Sequence, residues 1–282
     1  MSLTILALHA HPDDESSKAA ASVARLVDEG ARAVLVTATG GEAGDILNPE
    51  MNVPEVARRL GEIRAVELEE AARIIGFDEV VMLGYRDSGM PDSSDNRRED
   101  AFCNQPIDEV LERVVEVVRR VRPDVVLGYD DHEFYPHPDH LRIHEISLEL
   151  AAAAADPDRF PEAGDPWQIE AVYAPVFTRE RILALHTAML ESTGESPFAV
   201  WLERGVGTEA ERTLFKFDVT GYVDRGRKAL AAHRTQVDPR GFWFAVPTPV
   251  IEAVYPWEDF ELLYSNGSSS TDRDHPFSGI RE

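Results

Sequence analysis

Leu3-Thr4-Ile5-Leu6-Ala7-Leu8 runs directly into His9-Ala10-His11-Pro12-Asp13-Asp14-Glu15, and this junction decides the fold. The first six residues read as a buried strand, and the next seven as a turn crowded with imidazole and carboxylate groups. A helical pattern follows over 16–29 and stops at Gly30; a second apolar run, 33–37, supplies the next strand. The alternation continues with a helix over 53–75, whose Leu60, Ile63, Leu68, Ala71, Ala72 and Ile75 form one face, and Gly76 ends it. Strand 79–83, an amphipathic helix over 107–121 ahead of Pro123, strand 124–128 and helix 139–155 complete the series. Strands alternating with helices of this length predict an α/β fold, a Rossmann-like doubly wound and mostly parallel sheet.

Two polar stretches interrupt the rhythm, 40–52 and 87–104, and loops of the second's length are usually functional or disordered. After Asp156-Pro157-Asp158 the pattern changes to a strand over 170–176, helices over 179–190 and 223–233, and the aromatic segment Gly241-Phe242-Trp243-Phe244. The expected organisation is a catalytic core over 1–155, a smaller C-terminal subdomain over 156–264 that completes the cleft, and a polar, frayed tail over 265–282.

The charge balance, 28 Lys plus Arg against 52 Asp plus Glu for a net −24, excludes the basic footprint that nucleic acid or an anionic membrane requires. A single cysteine, Cys103, rules out an intrachain disulfide and a multi-cysteine metal site, and is compatible with a reducing compartment. The first residues carry no basic leader or cleavage site, and no apolar run approaches the roughly 20 residues of a membrane span. A soluble, cytoplasmic protein is expected.

In an open α/β sheet the ligand site forms at the carboxyl ends of the strands, where the His9–Glu15 turn stands. It lacks the glycine fingerprint of a dinucleotide site and concentrates ligands suited to zinc or a similar divalent metal. A second turn, Tyr135-Pro136-His137-Pro138-Asp139-His140, follows the fourth strand in the equivalent position. Together they offer His11, Asp13, Asp14, His137, Asp139 and His140, enough for three ligands with one coordination position left for water. Such a site supports hydrolysis at neutral pH. One turn of this kind alone reads equally well as a helix cap or a solvated loop; the pair favours metal chemistry.

The paired motifs His11-Pro12-Asp13-Asp14-Glu15 and His137-Pro138-Asp139-His140 resemble the signature of the LmbE-like, or PIG-L, zinc N-deacetylases and amidases. Lys18, Thr39-Gly40-Gly41-Glu42, Glu62-Ile63-Arg64, Asp87-Ser88-Gly89 and His233-Arg234-Thr235-Gln236-Val237-Asp238-Pro239 resemble its mycothiol branch, in particular the S-conjugate amidases. The resemblance implies His11, Asp14 and His140 as ligands of zinc, with iron(II) suiting the same donors. It implies Asp13 as the general base, His137 as oxyanion stabiliser or proton donor oriented by Asp139, and Tyr135 as a mobile group that polarises the carbonyl. Lys18, Glu42, Arg64 and Asp87 become candidate substrate contacts. For Arg64 the plain alternative is an exposed helix charge paired with Glu67, and for Glu42 an exposed loop carboxylate. The implied activity is cleavage of a mycothiol S-conjugate amide to a mercapturic acid and glucosaminyl-inositol, so the partner is a small thiol–sugar conjugate. The related deacetylase, acting on N-acetylglucosaminyl-inositol, and a non-catalytic sugar- or metal-binding module are the rivals.

Other residues carry less. His9 lies on the strand and reads as packing around the site, and His144, one turn after His140, as support for it. Gly40-Gly41-Glu42-Ala43-Gly44 lacks the Lys-Ser/Thr of a phosphate loop. Phe242-Trp243-Phe244 fits core, a contact within a homo-oligomer, or packing on an apolar thiol substituent. Cys103 has no paired histidine and is not expected to be a nucleophile. Asp131-His132-Glu133-Phe134 stands where the mycothiol enzymes usually carry Asn-Gly-Gly, which predicts a stiffer loop before Tyr135 and adds His132 and Glu133 near the site.

Overall fold

The computed structural model describes residues 2–131, 135–205, 212–267, 275–278 and 280. Its first part contains β1 (Thr4–His9), α1 (Asp14–Ser17), α2 (Ala20–Asp28), β2 (Arg32–Thr39), α3 (Pro54–Arg58), α4 (Leu60–Ile75) and β3 (Glu79–Tyr85). Then come α5 (Ile107–Val121), β4 (Val125–Leu127), α6 (Pro138–Ala155), β5 (Ala171–Val176), α7 (Arg179–Thr193) and α8 (Ala199–Glu203). The chain closes with β6 (Leu214–Asp218), α9 (Val223–Ala232), α10 (Phe242–Ala245), α11 (Thr248–Val254) and β7 (Trp257–Ser265).

The strands form one sheet in the order β3-β2-β1-β4-β5-β7-β6. Strands β1 to β5 run parallel, and β7 is antiparallel to both β5 and β6. The two faces of β1 explain its continuous apolar run: Ile5 and Ala7 pack with Leu68 of α4 and Ala229 of α9, while Leu6 and Leu8 pack with Val114 of α5 and Ile146 of α6. Helix α5 buries Val110, Leu111, Val114, Val115, Val117, Val118 and Val121, and ends where Arg122 turns left-handed (φ 57°) ahead of Pro123. Helices α7, α8, α10 and α11 surround a third, smaller core built on Ile182, Leu185, Met189, Phe198, Val246 and Tyr255.

Three local differences from the sequence reading have physical causes. The helix expected over 16–29 is divided, because Lys18 is extended and Ala19 is left-handed (φ 64°), which lets Lys18 fold back onto Asp14. The helix expected over 53–75 is divided at Arg59; α3 buries no side chain, so no packing holds it in line with α4. In the stretch expected to fray from residue 265, the described residues make contacts: β7 runs to Ser265, and Phe277 packs edge-on against Tyr173, Phe217 and Phe260. Tyr173 Oη donates to Pro276 O at 2.9 Å. No described helix is long and apolar enough to cross a membrane.

Candidate metal centre and active-site cleft

Because β1 and β4 are neighbours in the sheet, the turns that follow them meet. His11 Nδ1 lies 3.5 Å from Asp14 Oδ2, His140 Nε2 lies 3.3 Å from Asp14 Oδ1, and the two imidazole nitrogens are 3.3 Å apart. All three side chains are buried, and each offers a ligand atom within 4.8 Å of the others. Two imidazoles and one carboxylate, converging in a buried site, are the donors that hold a divalent ion with a position left open. The residues present therefore fit the implied metal. Burial alone would raise the Asp14 pKa, but Lys18, His140 and His11 together hold it well below the carboxylate range. Lys18 Nζ sits 3.0 Å from Asp14 Oδ1 and 5.0 Å from the Tyr129 ring centroid.

Asp13 points elsewhere. Its backbone is left-handed (φ 115°), and 28% of its side chain remains exposed. The walls around it still push its pKa up by desolvation, against the opposing charge of Arg64 at 3.2 Å. Adjacent carboxylates are thus separated in role: Asp14 is a committed anion beside the imidazoles, and Asp13 is the better proton acceptor. The Asp13 N–H donates to Glu15 Oε2 at 2.9 Å, and His233 Nε2 stands 2.6 Å from Glu15 Oε1.

Arg64 is buried and donates to Gly41 O at 2.6 Å and to Pro12 O. A side chain at Gly41 or Gly44 would collide with the guanidinium, so the glycines of the 40–44 stretch make room for this arginine. Arg64 is therefore neither an exposed helix charge nor a partner of Glu67. Glu67 is fully buried and accepts from Thr235 N at 3.0 Å and Thr235 Oγ1 at 2.7 Å. Glu42 does not line the cleft; it accepts from the Asp87 N–H at 3.1 Å.

On the other side of His11, Nε2 lies 3.1 Å from Asp139 Oδ2 and 3.4 Å from Asp87 Oδ1. Asp139 also accepts from Ser88 N at 3.0 Å and from Ser88 Oγ. Asp87 accepts from Ala43 N at 3.1 Å and Gly89 N at 2.9 Å; burial opposes its ionisation, but its hydrogen bond with His11 holds the pKa low. These carboxylates orient His11 so that Nδ1 faces Asp14 and His140. The Asp139 carboxylate was expected to orient His137, and the geometry differs. It is the Asp139 backbone N–H that meets His137 Nδ1, at 3.2 Å, at the start of α6. Burial and the charge of His11 lower the His137 pKa to about 4. Its ring meets His11 edge-on at 4.5 Å. Tyr135 is half exposed, 5.5 Å from the His140 ring and 6.1 Å from that of His137.

Two supporting residues, Tyr129 and Arg212, escape the sequence reading. Tyr129, buried just past β4, lies 3.2 Å from His9 Nδ1 through its hydroxyl and meets the His140 ring edge-on at 4.9 Å. Its position after a strand is the only sequence signal. His144 binds Tyr129 O at 2.8 Å and lies outside the ligand group. Arg212 clamps the approach to the 132–134 stretch, 3.3 Å from Asp130 and 2.6 Å from Asp131. His132 and Glu133 lie outside the described residues. Cys103 accepts from Asn96 Nδ2.

The triad, Asp13, Lys18, Asp87, His137 and Tyr135 open into a cleft of about 670 Å³, whose lining continues through Gln236 to Phe177, Trp201, Phe242 and Trp243. A buried His/Asp/His group with a separate basic carboxylate, at the carboxyl edge of a parallel sheet, defines a metal-dependent hydrolase. Residues 6–151 match the family described as PIG-L, GlcNAc-PI de-N-acetylase, and the chain belongs to that family of enzymes, hydrolases acting on amides. It is 40% identical, over 99% of its length and 98% of the relative's, to the mycothiol S-conjugate amidase of Streptomyces coelicolor. It is 36% identical to the 1D-myo-inositol 2-acetamido-2-deoxy-alpha-D-glucopyranoside deacetylase of Streptomyces avermitilis, over 96% of this chain and 95% of that one. The fold is similar to N,N'-diacetylchitobiose deacetylase from Pyrococcus horikoshii, with a TM-score of 0.63, 20% identity, and coverage of 92% of this chain and 83% of the other.

Proposed function

We propose that the chain hydrolyses an amide in a mycothiol-derived small molecule, and specifically the amide joining glucosaminyl-inositol to the N-acetylcysteinyl part of a mycothiol S-conjugate. The observation that carries the chemistry is the buried His11–Asp14–His140 group, with Asp13 beside it but outside that group and paired with Arg64. Similarity to relatives named for both activities supports the substrate class. The finer choice of the amidase rests on the higher identity to that relative and on Lys18, which lines the cleft beside Asp14.

His11, Asp14 and His140 would hold zinc or iron(II), and the bound ion supplies Lewis acidity toward the scissile carbonyl and activation of water. Asp13 takes the proton from the attacking water, its raised pKa matching that task. Arg64 and the Glu15 hydrogen bond fix Asp13 in its left-handed turn. Since His137 Nδ1 accepts from the Asp139 backbone, its proton resides on Nε2, and a neutral donor is what a developing oxyanion requires. The carbon–nitrogen bond then breaks, and Asp13 returns its proton to the departing amine.

Purified metal-loaded enzyme is to be assayed side by side on an S-benzyl mycothiol conjugate and on N-acetylglucosaminyl-inositol. The expected result is a kcat/KM at least about tenfold higher for the conjugate, a factor worth about 1.4 kcal/mol. Faster release of acetate would replace the amidase reading with the deacetylase one.

A further inference from the structure

The aromatic part of the cleft has a construction of its own. Trp201 of α8 and Phe242 of α10 stack with centroids 4.7 Å apart and planes at 25°. Phe177 stands edge-on to Trp201 at 6.2 Å and tilted to Trp243 at 6.3 Å. Behind them Phe198, almost fully buried, meets Trp201 and Phe242 edge-on at 6.1 and 5.5 Å. Arg227 of α9 donates to Trp243 O at 3.3 Å and Phe244 O at 3.5 Å, tying the aromatic turn to the helix that also carries Leu230 into the cleft.

The four lining aromatics are only partly buried, although Phe177, Trp201 and Phe242 rest their backs on the third core. Apolar surface left open inside a catalytic cleft marks a ligand subsite. Sugar hydroxyls and charges have partners elsewhere in the same cleft, among Asp87, Lys18 and Gln236. The part of a conjugate that has none is the group attached to sulfur.

We infer that Phe177, Trp201, Phe242 and Trp243 form a subsite for the sulfur substituent of the acyl half, and that it selects planar aromatic substituents over small alkyl ones. The inference rests on the amidase reading and adds the substrate class that this reading leaves open. A flat ring can extend the Trp201–Phe242 stack or meet Phe177 and Trp243 edge-on; a methyl group can do neither.

The test measures binding without turnover. Zinc-loaded enzyme is titrated with N-acetyl-S-benzylcysteine, N-acetyl-S-methylcysteine and glucosaminyl-inositol, followed by tryptophan emission and by calorimetry. The S-benzyl compound is expected to bind about tenfold more tightly than the S-methyl one and to shift the emission. Trp201→Leu, which keeps apolar bulk but removes the stack, and Phe242→Ala should each bring that ratio below about threefold. Trp167→Phe, remote from the cleft, should preserve it. Equal affinity for the two thioethers in the wild type would overturn the inference, as would an unchanged ratio in both folded variants. A loss felt equally by glucosaminyl-inositol would also overturn it, assigning the aromatics to the sugar. Failure of the amidase reading looks different: conjugates would stay intact while the S-benzyl preference persisted.

Discussion

The two parts of the cleft are built on opposite plans. Around the triad, charged groups are interlocked across the chain: His11 meets Asp14, Asp87 and Asp139, Arg64 holds Asp13 and Gly41, and Glu15 pairs with His233. Among the described residues the aromatic wall has no comparable charge network. Its rings pack on a small separate core, and the main polar anchor of its turn is Arg227. The contrast teaches that the catalytic part, being mutually constrained, fails as a unit, while the wall can be altered residue by residue.

The largest effect expected from a change that spares the metal ligands is that of Asp13→Asn. Its kcat should fall about 10²–10⁴-fold with the bound metal retained, as read by steady-state kinetics together with metal analysis. A fall of less than tenfold would remove Asp13 from the base role and weaken the distinction between its carboxylate and that of Asp14.

Next comes the interlock itself. Thr235→Val leaves the fully buried Glu67 with one hydrogen bond fewer, and should cost about 1–3 kcal/mol in denaturant unfolding. It should also lower activity, because Leu47 N, in the loop lining the cleft, donates to Thr235 O at 2.9 Å. Loss of stability with wild-type kinetics would show that the interlock does not reach the reaction.

The smallest effect probes the core beneath the wall. Asp259 is buried, accepts from Tyr255 Oη at 2.8 Å and Thr178 Oγ1 at 3.0 Å, and burial raises its pKa from 3.8 to about 6 despite the opposing charge of Arg181. Between those two values the folded state holds a proton that the unfolded state has lost. This contribution is therefore present at low pH and disappears as pH rises through about 6. Compared with Asp259→Asn, wild-type stability should drop by about 1.4 kcal/mol between pH 5 and pH 8. A pH-independent difference between the two proteins would contradict it.

Much of this arrangement was legible in the chain. The apolar runs of β1, β2 and β4 and the helical period of α5 gave a parallel sheet, and the two His/Asp turns after β1 and β4 had to meet once those strands were neighbours. What the sequence concealed depends on partners far away. The Glu15–His233 pair spans 218 positions, and Glu67–Thr235 spans 168, so local pattern reads each member as an ordinary polar residue. Arg64 is a candidate substrate contact by resemblance alone; local pattern reads it as a surface charge, because its burial depends on missing side chains at Gly41 and Gly44. Phe277 sits in a polar stretch, yet its ring packs edge-on against Tyr173 and Phe217.

The most direct test is metal stoichiometry by equilibrium dialysis, comparing wild-type chain with Asp13→Asn, His11→Ala and His140→Ala under zinc and under anaerobic iron(II). One tightly held ion per chain is predicted for the wild type and for Asp13→Asn, with affinity lost in both histidine variants. An ion retained at wild-type affinity after either histidine is removed would contradict a centre shared by the turns that follow β1 and β4.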